Sequence, residues 1–168
     1  MPKQKFKASK SLDVKKPPIA TNSPYTLDEH VPFLINRVAA IGVRAFSQEL
    51  ARAKISVPMW RVIAVLWSSG DQRQTDLSES TAIEKSTLSR LIGTLCRSKL
   101  VSRERSQSST REVTVGLTER GKALAKQYIP LALEYERIEL RGLSESEQTA
   151  LRHALRVIYS NIRPLAGD

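Results

Sequence analysis

The sequence predicts a mainly α-helical fold with one small β-hairpin, and three observations lead to this prediction. Apolar residues recur at intervals of three and four along most of the chain after residue 25. Short polar residues that favour helix starts precede several of these segments. The segment 111–117 instead alternates Val113, Val115 and Leu117 with polar or small residues, which is typical of a half-buried strand.

Positive charge is concentrated in two segments of the chain. The 168 residues include 27 Lys and Arg against 17 Asp and Glu, which gives a formal charge of +10. Six lysines and one aspartate give residues 1–24 a net charge of +5, and seven cations and one glutamate give residues 85–111 a net charge of +6. Such basic patches are typical of proteins that bind polyanions.

The composition excludes several classes of protein. Cys96 is the single cysteine, so an internal disulfide framework and a four-cysteine zinc site are impossible. His30 and His153 are too few for most histidine-based metal centres or hydrolases. The longest uncharged stretch, 62–70, is far shorter than the roughly 20 residues that span a bilayer. We therefore expect a soluble cytoplasmic protein that is not an enzyme, needs no cofactor or metal and has no membrane partner.

The first third of the chain predicts an arm and two helices. Residues 1–24 are rich in Lys, Ser and Pro, and we expect a disordered arm. A capping box at Thr26–Glu29 predicts a helix that runs to about Ala53. Ser56 is expected to cap a second, largely apolar helix that ends at Gly70. One apolar stripe of the first helix comprises Leu27, Val31, Leu34, Ile35, Val38 and Ile41.

The middle of the chain predicts a DNA-binding module. A short helix at 74–80 and a turn at 81–83 precede a helix at 85–99 with a polar, cationic face. Two strands follow, near 100–105 and 111–117. This order of elements is typical of a winged helix-turn-helix, whose second helix enters the major groove.

The predicted DNA-binding residues lie on the helix at 85–99 and on the hairpin after it. Short hydroxyl side chains near the helix start suit base edges, and the arginines suit guanine or phosphate. The hairpin arginines are expected to contact phosphates or the minor groove. The full set is Lys85, Ser86, Thr87, Ser89, Arg90, Thr94, Arg97, Arg103, Arg105 and Arg111.

The C-terminal third predicts two further helices. Thr118 is expected to cap a long helix that Pro130 should kink. A second capping box at Ser144–Glu147 opens the last helix. Its aligned apolar residues are Leu151, Leu155, Ile158, Ile162 and Leu165.

From about residue 27 to 163 the chain resembles the MarR family of bacterial transcription regulators. The matching segments are PMWRV at 58–62, QTDL at 74–77, IEKSTLSRLI at 83–92, LVSR at 100–103 and REVTVGLTERG at 111–121. The resemblance implies a homodimer built by the first and last helices, which binds palindromic double-stranded DNA and is released by a small ligand. It also implies dimerisation segments at 25–55 and 118–168 around a DNA-binding domain at 56–117.

The chain departs from the family pattern in three places. Ser109 replaces the usual aspartate that braces the wing arginine matched by Arg111. Lys99 replaces the glycine that normally ends the recognition helix, so a left-handed cap there should cost more. The basic arm is also longer than usual.

A ligand site is predicted where the first two helices meet. The predicted ligand-binding residues are His30, Phe33, Arg37, Arg44, Trp60, Ile63 and Trp67. Aromatic walls beside a cation suit a small anionic aromatic acid, or its coenzyme A thioester (an acyl-CoA). A well-packed junction without a ligand is the open alternative.

Two other motifs have ordinary interpretations. The segment 116–122 nearly matches a phosphate-binding loop, but Ala123 stands where Ser or Thr would hold magnesium. Cys96 is expected to be a buried structural thiol. The sequence thus predicts a repressor that works in the bacterial cytoplasm on nucleoid DNA. An architectural DNA-binding protein without a ligand is the rival hypothesis.

Overall fold

The computed structural model describes residues 25–105 and 113–166, and it confirms a mainly α fold with a small antiparallel sheet. The arm at 1–24, Ser109 and Arg111 lie outside the described residues. The helices are α1 (Val31–Ala51), α2 (Val57–Ser69), α3 (Gln74–Thr81), α4 (Lys85–Arg97), α5 (Glu119–Glu139) and α6 (Glu145–Ile162). The strands are β1 (Gln72–Arg73), β2 (Val101–Arg105) and β3 (Val113–Leu117). No helix within the described ranges is long and apolar enough to cross a membrane.

The sheet has the order β1-β3-β2 in the described part of the chain, with antiparallel pairing throughout. In the hairpin, Arg103 pairs with Val115. The strand β1 was not predicted, because two residues are too short to show any periodicity. It exists only because Gln72 pairs with Val115 across the sheet.

The backbone divides into two compact units, residues 27–139 and a unit whose described part is 25–26 with 140–166. The first unit contains α1 to α5 and the sheet, and the second contains α6. The predicted capping box of α6 is confirmed: Ser144 Oγ accepts from the Glu147 backbone N–H at 3.4 Å, and the Glu147 carboxylate accepts from the Ser144 N–H at 2.8 Å.

The predicted start of the first helix was wrong. A 3-10 turn occupies Leu27–Glu29, and α1 begins only at Val31, with His30 at a cap position that forms no side-chain cap hydrogen bond. Pro32 explains the shift, because its ring would clash with an earlier carbonyl inside a helix that began at Thr26. In the first turn of α1 its missing N–H costs nothing.

Helix α2 is the centre of the 27–139 unit, since it contacts α1, α3, α4, α5 and β3. Its predicted bounds are confirmed: Ser56 Oγ accepts from the Met59 N–H at 3.4 Å, and Gly70 ends it with φ of 73°. The largest fully buried side chains around it are Leu50, Val62, Ile63, Leu77, Leu88, Ile92, Leu95 and Val115. The core therefore sits beneath α4, the helix with the cationic face.

Two chain segments, 95–100 and 118–121, meet at Leu100 in a cluster we call the α4–α5 junction (Leu95, Lys99, Leu100, Thr118 and Gly121). Lys99 adopts the left-handed conformation, φ 57°, and the Leu100 N–H donates to the Leu95 carbonyl at 2.9 Å. Thr118 Oγ1 donates to the Lys99 carbonyl at 2.6 Å, and the Thr118 N–H donates to the Leu100 carbonyl at 3.2 Å. The end of α4 is thereby tied to the start of α5.

Gly121 is required by close packing at this junction. The Gly121 N–H donates to Thr118 Oγ1 at 3.1 Å, which confirms the predicted cap. A Cβ added at Gly121 would lie 2.0 Å from the Leu100 carbonyl oxygen, a backbone atom with little freedom to move. This close contact explains why position 121 is a glycine, so the resemblance of 116–122 to a phosphate-binding loop needs no bound phosphate. Farther along, α5 continues without a break through Pro130.

Replacing Gly121 with alanine should lower the free energy of unfolding by about 1–3 kcal/mol, because the methyl group overlaps backbone. The matched control is Gly93→Ala in α4, where an added Cβ has no neighbour nearer than Arg97 Nη1 at 3.8 Å. That control should gain up to about 1 kcal/mol from helix propensity. Urea unfolding at one fixed protein concentration measures both, and equal effects of the two substitutions would contradict the packing argument.

Candidate nucleic-acid interface

The turn between α3 and α4 is fixed by buried hydroxyl groups. Ser78 Oγ donates to the Ile83 carbonyl at 2.7 Å, and Thr81 Oγ1 donates to the Leu77 carbonyl at 2.5 Å. Both hydroxyl residues are buried, and Ala82 takes the left-handed conformation with φ of 51°. Because buried hydroxyls without partners are costly, the Ser78–Ile83 bond ties α3 to the turn just before the start of α4.

Helix α4 has one buried face and one exposed polar face. Leu88, Ile92 and Leu95 are fully buried, and Ser86 and Arg90 lie on the opposite side. The predicted DNA-binding residues of α4 that are exposed are Lys85, Ser86, Thr87, Ser89, Arg90 and Arg97. Thr94 is half-buried at the edge of this surface. The structure thus brings the predicted α4 residues together on one helix face.

Glu84 caps the start of α4, a role that was not predicted from the sequence. Its carboxylate accepts the backbone N–H of Ser86 at 2.9 Å, the N–H of Thr87 at 3.0 Å and the hydroxyl of Ser86. The Ser86 hydroxyl, followed by the two backbone donors, lowers the pKa of Glu84 from 4.5 to about 2. An acidic residue directly before a helix start is the signal that would have identified it.

Near its other end, the polar face of α4 is held by hydrogen bonds within the helix. Thr94 Oγ1 donates to the Arg90 carbonyl at 3.2 Å, and Arg97 Nη2 donates to Thr94 Oγ1 at 2.9 Å. The Thr94 hydroxyl is therefore partly used inside the protein, and Arg97 is aligned along the helix.

Arg103 links the wing to the helices in addition to any role in binding DNA. Its guanidinium donates to the Ser89 carbonyl at 3.1 Å and to Gln74 Oε1 at 3.5 Å. Strand β2 is thereby connected to both α4 and α3. Arg105 ends β2, and its side chain and Arg111 lie outside what the structure describes.

A cleft of about 320 Å³ lies among α1, α2 and α5. Its aromatic wall is a cluster in which the Phe46 ring centroid lies 5.8 Å from that of Trp60 and 5.3 Å from that of Tyr135. Its charged lining residues are Arg61, Glu136 and Glu139. Among the seven predicted ligand-binding residues, which are all described, Trp60 alone lines this cleft.

The predicted ligand-binding residues of α1 do not come together beside α2. Arg37 pairs with Asp28 at 3.3 Å and lies 5.5 Å from the Phe33 ring centroid, exposed to solvent. Ile63 is fully buried in the core, so a ligand has no access to it, and Trp67 is 42% exposed. The reason is that α2 is apolar on nearly all sides, so its sequence did not show which face meets α1. His30 and Arg44 also lie away from the cleft lining.

Other candidate sites have simple environments. Cys96 is half-buried and packs against the core, so it is less buried than expected. Within residues 25–105 and 113–166, no group of three or more His, Cys, Asp or Glu side chains is arranged to hold a metal ion.

A helix-turn-helix with an exposed cationic second helix, followed by an antiparallel strand pair, defines a winged-helix DNA-binding protein. Residues 55–113 match the model of the MarR family. Over this segment the chain is similar to the MarR family, whose members are transcription regulators.

Relatives of known structure or function show the same similarity. The HTH-type transcriptional repressor NicR of Pseudomonas putida is 26% identical over 135 residues, which cover 80% of this chain and 85% of NicR. Bordetella bronchiseptica BpsR, whose DNA binding is regulated by 6-hydroxynicotinic acid, is 27% identical with a TM-score of 0.69 over 76% of this chain and 97% of BpsR. A MarR family regulator from Silicibacter pomeroyi is 26% identical with a TM-score of 0.74 over 82% and 92%.

The cap formed by Glu84 should make folding pH-dependent. Since the folded state lowers the pKa of Glu84 from 4.5 to about 2, its stabilising effect is complete above about pH 4.5 and is lost as the pH falls towards 2. The difference in Tm between the wild type and Glu84→Gln should therefore shrink over that interval. Thermal melts at pH 7, 5, 4 and 3 measure it, and a difference independent of pH would contradict the charged cap.

Proposed function

We propose that this chain is a homodimeric transcriptional repressor that binds a palindromic operator and is released by a small aromatic acid. The observation that carries the proposal is the exposed cationic face of α4, which the core holds rigidly on its other side. It acts in the bacterial cytoplasm, on the chromosomal DNA.

The operator is contacted by α4 in the major groove. The residues at its N-terminal end, from Lys85 to Arg90, approach base edges, as in other helix-turn-helix proteins. Arg90 is exposed in the second turn, where an arginine reaches guanine or a phosphate. Arg97 and the hairpin arginines add sequence-independent contacts to phosphates.

Two copies of the chain form the functional unit. On α1, the apolar residues Val38 and Ile41 are 67% and 58% exposed, which is costly for a lone chain. On α6, considered by itself, Leu155 and Ile162 are also exposed. A two-fold dimer that covers both stripes would place two copies of α4 about one helical turn, roughly 10 bp, apart.

The effector binds in the cleft among α1, α2 and α5. Aromatic walls at Phe46, Trp60 and Tyr135, which meet edge to face, suit a flat ring, and the volume of about 320 Å³ suits a small one. Arg61 is the cation for its carboxylate, whereas Glu136 and Glu139 disfavour further negative charge. These charges favour a simple aromatic acid over a coenzyme A thioester, and BpsR provides a relative that responds to such an acid.

Release follows from unequal affinity of the effector for two conformations. The cleft is lined by α1 and α5 as well as by α2, which contacts α4. The ligand fits the cleft better in the conformation in which the two copies of α4 no longer match successive grooves. It therefore shifts the population of dimers away from the conformation that binds DNA.

Removing the Arg90 guanidinium should weaken operator binding by about five- to 150-fold, because an arginine contact to a base is worth about 1–3 kcal/mol. Fluorescence anisotropy measures the effect. One duplex is the intergenic DNA upstream of the protein's own gene, and the control is a scrambled duplex. If Arg90 contacts a phosphate, the salt dependence also flattens by about one unit.

The control for net charge is Lys126→Ala, which removes one exposed cation on α5 and should leave operator affinity nearly unchanged. Unaltered affinity in Arg90→Ala would disprove the role of α4. Equal binding of the wild type to both duplexes would favour an architectural protein.

The effector site is tested by comparing Arg61→Ala with Arg37→Ala and Arg44→Ala. With 6-hydroxynicotinic acid as the probe, Arg61→Ala should raise the concentration needed to release DNA about tenfold, because a charge-assisted bond is lost. The other two variants should respond like the wild type. A loss of response in Arg37→Ala alone would instead support the ligand-binding residues that were predicted from the sequence.

A further inference from the structure

The hydroxyl of Ser86 is committed to a single hydrogen-bonding role. Ser86 is exposed on the face of α4 opposite the buried Leu88 and Leu95, where that helix is expected to meet DNA. Its Oγ lies in hydrogen-bond contact with Glu84 Oε2, the carboxylate that caps the helix.

The direction of this hydrogen bond follows from chemistry. An ionised carboxylate has no hydrogen to donate, and the pKa of Glu84, lowered to about 2, keeps it ionised at neutral pH. Ser86 must therefore be the donor in the bond to Glu84. A serine hydroxyl has one hydrogen and two lone pairs, so only its lone pairs remain available to DNA.

The edges of the bases in the major groove distinguish such an acceptor from a donor. Adenine N6 and cytosine N4 are donors, whereas guanine O6 and N7 and thymine O4 are acceptors. An oxygen that acts only as an acceptor forms a hydrogen bond with adenine or cytosine. Opposite guanine or thymine it is left without a partner.

We propose that Glu84 fixes Ser86 as a hydrogen-bond acceptor, so that at one position of each operator half-site the protein selects adenine or cytosine over guanine or thymine on the contacted strand. This inference rests on the proposed function, in which α4 reads the operator. Glu84 is thus a positioning residue that acts on specificity through Ser86.

A second serine on the same surface provides the contrast. The Ser89 hydroxyl forms no hydrogen bond within the described residues, although its backbone carbonyl accepts from Arg103. It is free to rotate, so it can donate or accept and should not show the same restriction. The difference between the two serines therefore comes from Glu84.

The test is binding-site selection from a randomised half-site, followed by competition between duplexes that differ at one base pair. For the wild type, one position per half-site should favour adenine or cytosine by about three- to tenfold, the worth of one hydrogen bond. In Ser86→Ala the preference at that position should fall to within about twofold, whereas Ser89→Ala should retain it.

The decisive variant is Glu84→Gln. The glutamine oxygen can still accept a backbone N–H, and its amide N–H can donate to Ser86, which frees the serine hydrogen to face DNA. The preference at the Ser86 position should then vanish or reverse towards guanine or thymine. Each preference is a ratio of affinities for two duplexes, measured with one protein preparation. The folded fraction and the general gain in affinity from losing a negative charge affect both affinities equally and cancel.

Three results would overturn the inference. These are a guanine or thymine preference in the wild type, a preference unchanged in Glu84→Gln, and a selected site on which Ser86→Ala has no effect. Failure of the proposed function is distinct from these, because the wild type would then select no sequence at any position.

Discussion

The α4–α5 junction is the constraint on which the rest of the 27–139 unit depends. Thr118 closes it by donating to the Lys99 carbonyl at 2.6 Å while it accepts from the Gly121 N–H at 3.1 Å. One hydroxyl thus forms hydrogen bonds with both the turn that follows α4 and the first turn of α5. Because Gly121 lacks a side chain, α5 approaches the Leu100 carbonyl closely enough for both bonds to form.

This junction connects the face of α4 that is proposed to read DNA to the cleft that is proposed for the effector. From Leu100 the chain enters the hairpin, and from Gly121 it enters α5, which lines the cleft through Tyr135. Arg103 adds a second link between the hairpin and α4. A shift of α5 would therefore act on α4 through hydrogen bonds and packed side chains, which is the kind of contiguous connection that allosteric coupling needs.

Local chemistry made several elements predictable and left others hidden. Ser56, Gly70 and the box at Ser144–Glu147 fixed helix ends, because capping depends only on neighbouring backbone groups. Thr26 failed as a cap because Pro32, a few residues on, prevents an earlier helix start. The strand β1 was hidden because its two residues are defined by a partner more than forty residues away.

The sequence by itself determined the class of protein and which face of α4 is exposed. An amphipathic helix shows its buried and exposed sides by its periodicity, so Leu88 and Arg90 could be assigned without a structure. Only the tertiary structure decided which residues line the cleft. Helix α2 is apolar nearly all round, so only its packing turned Ile63 into the core and Trp60 towards Phe46 and the cleft.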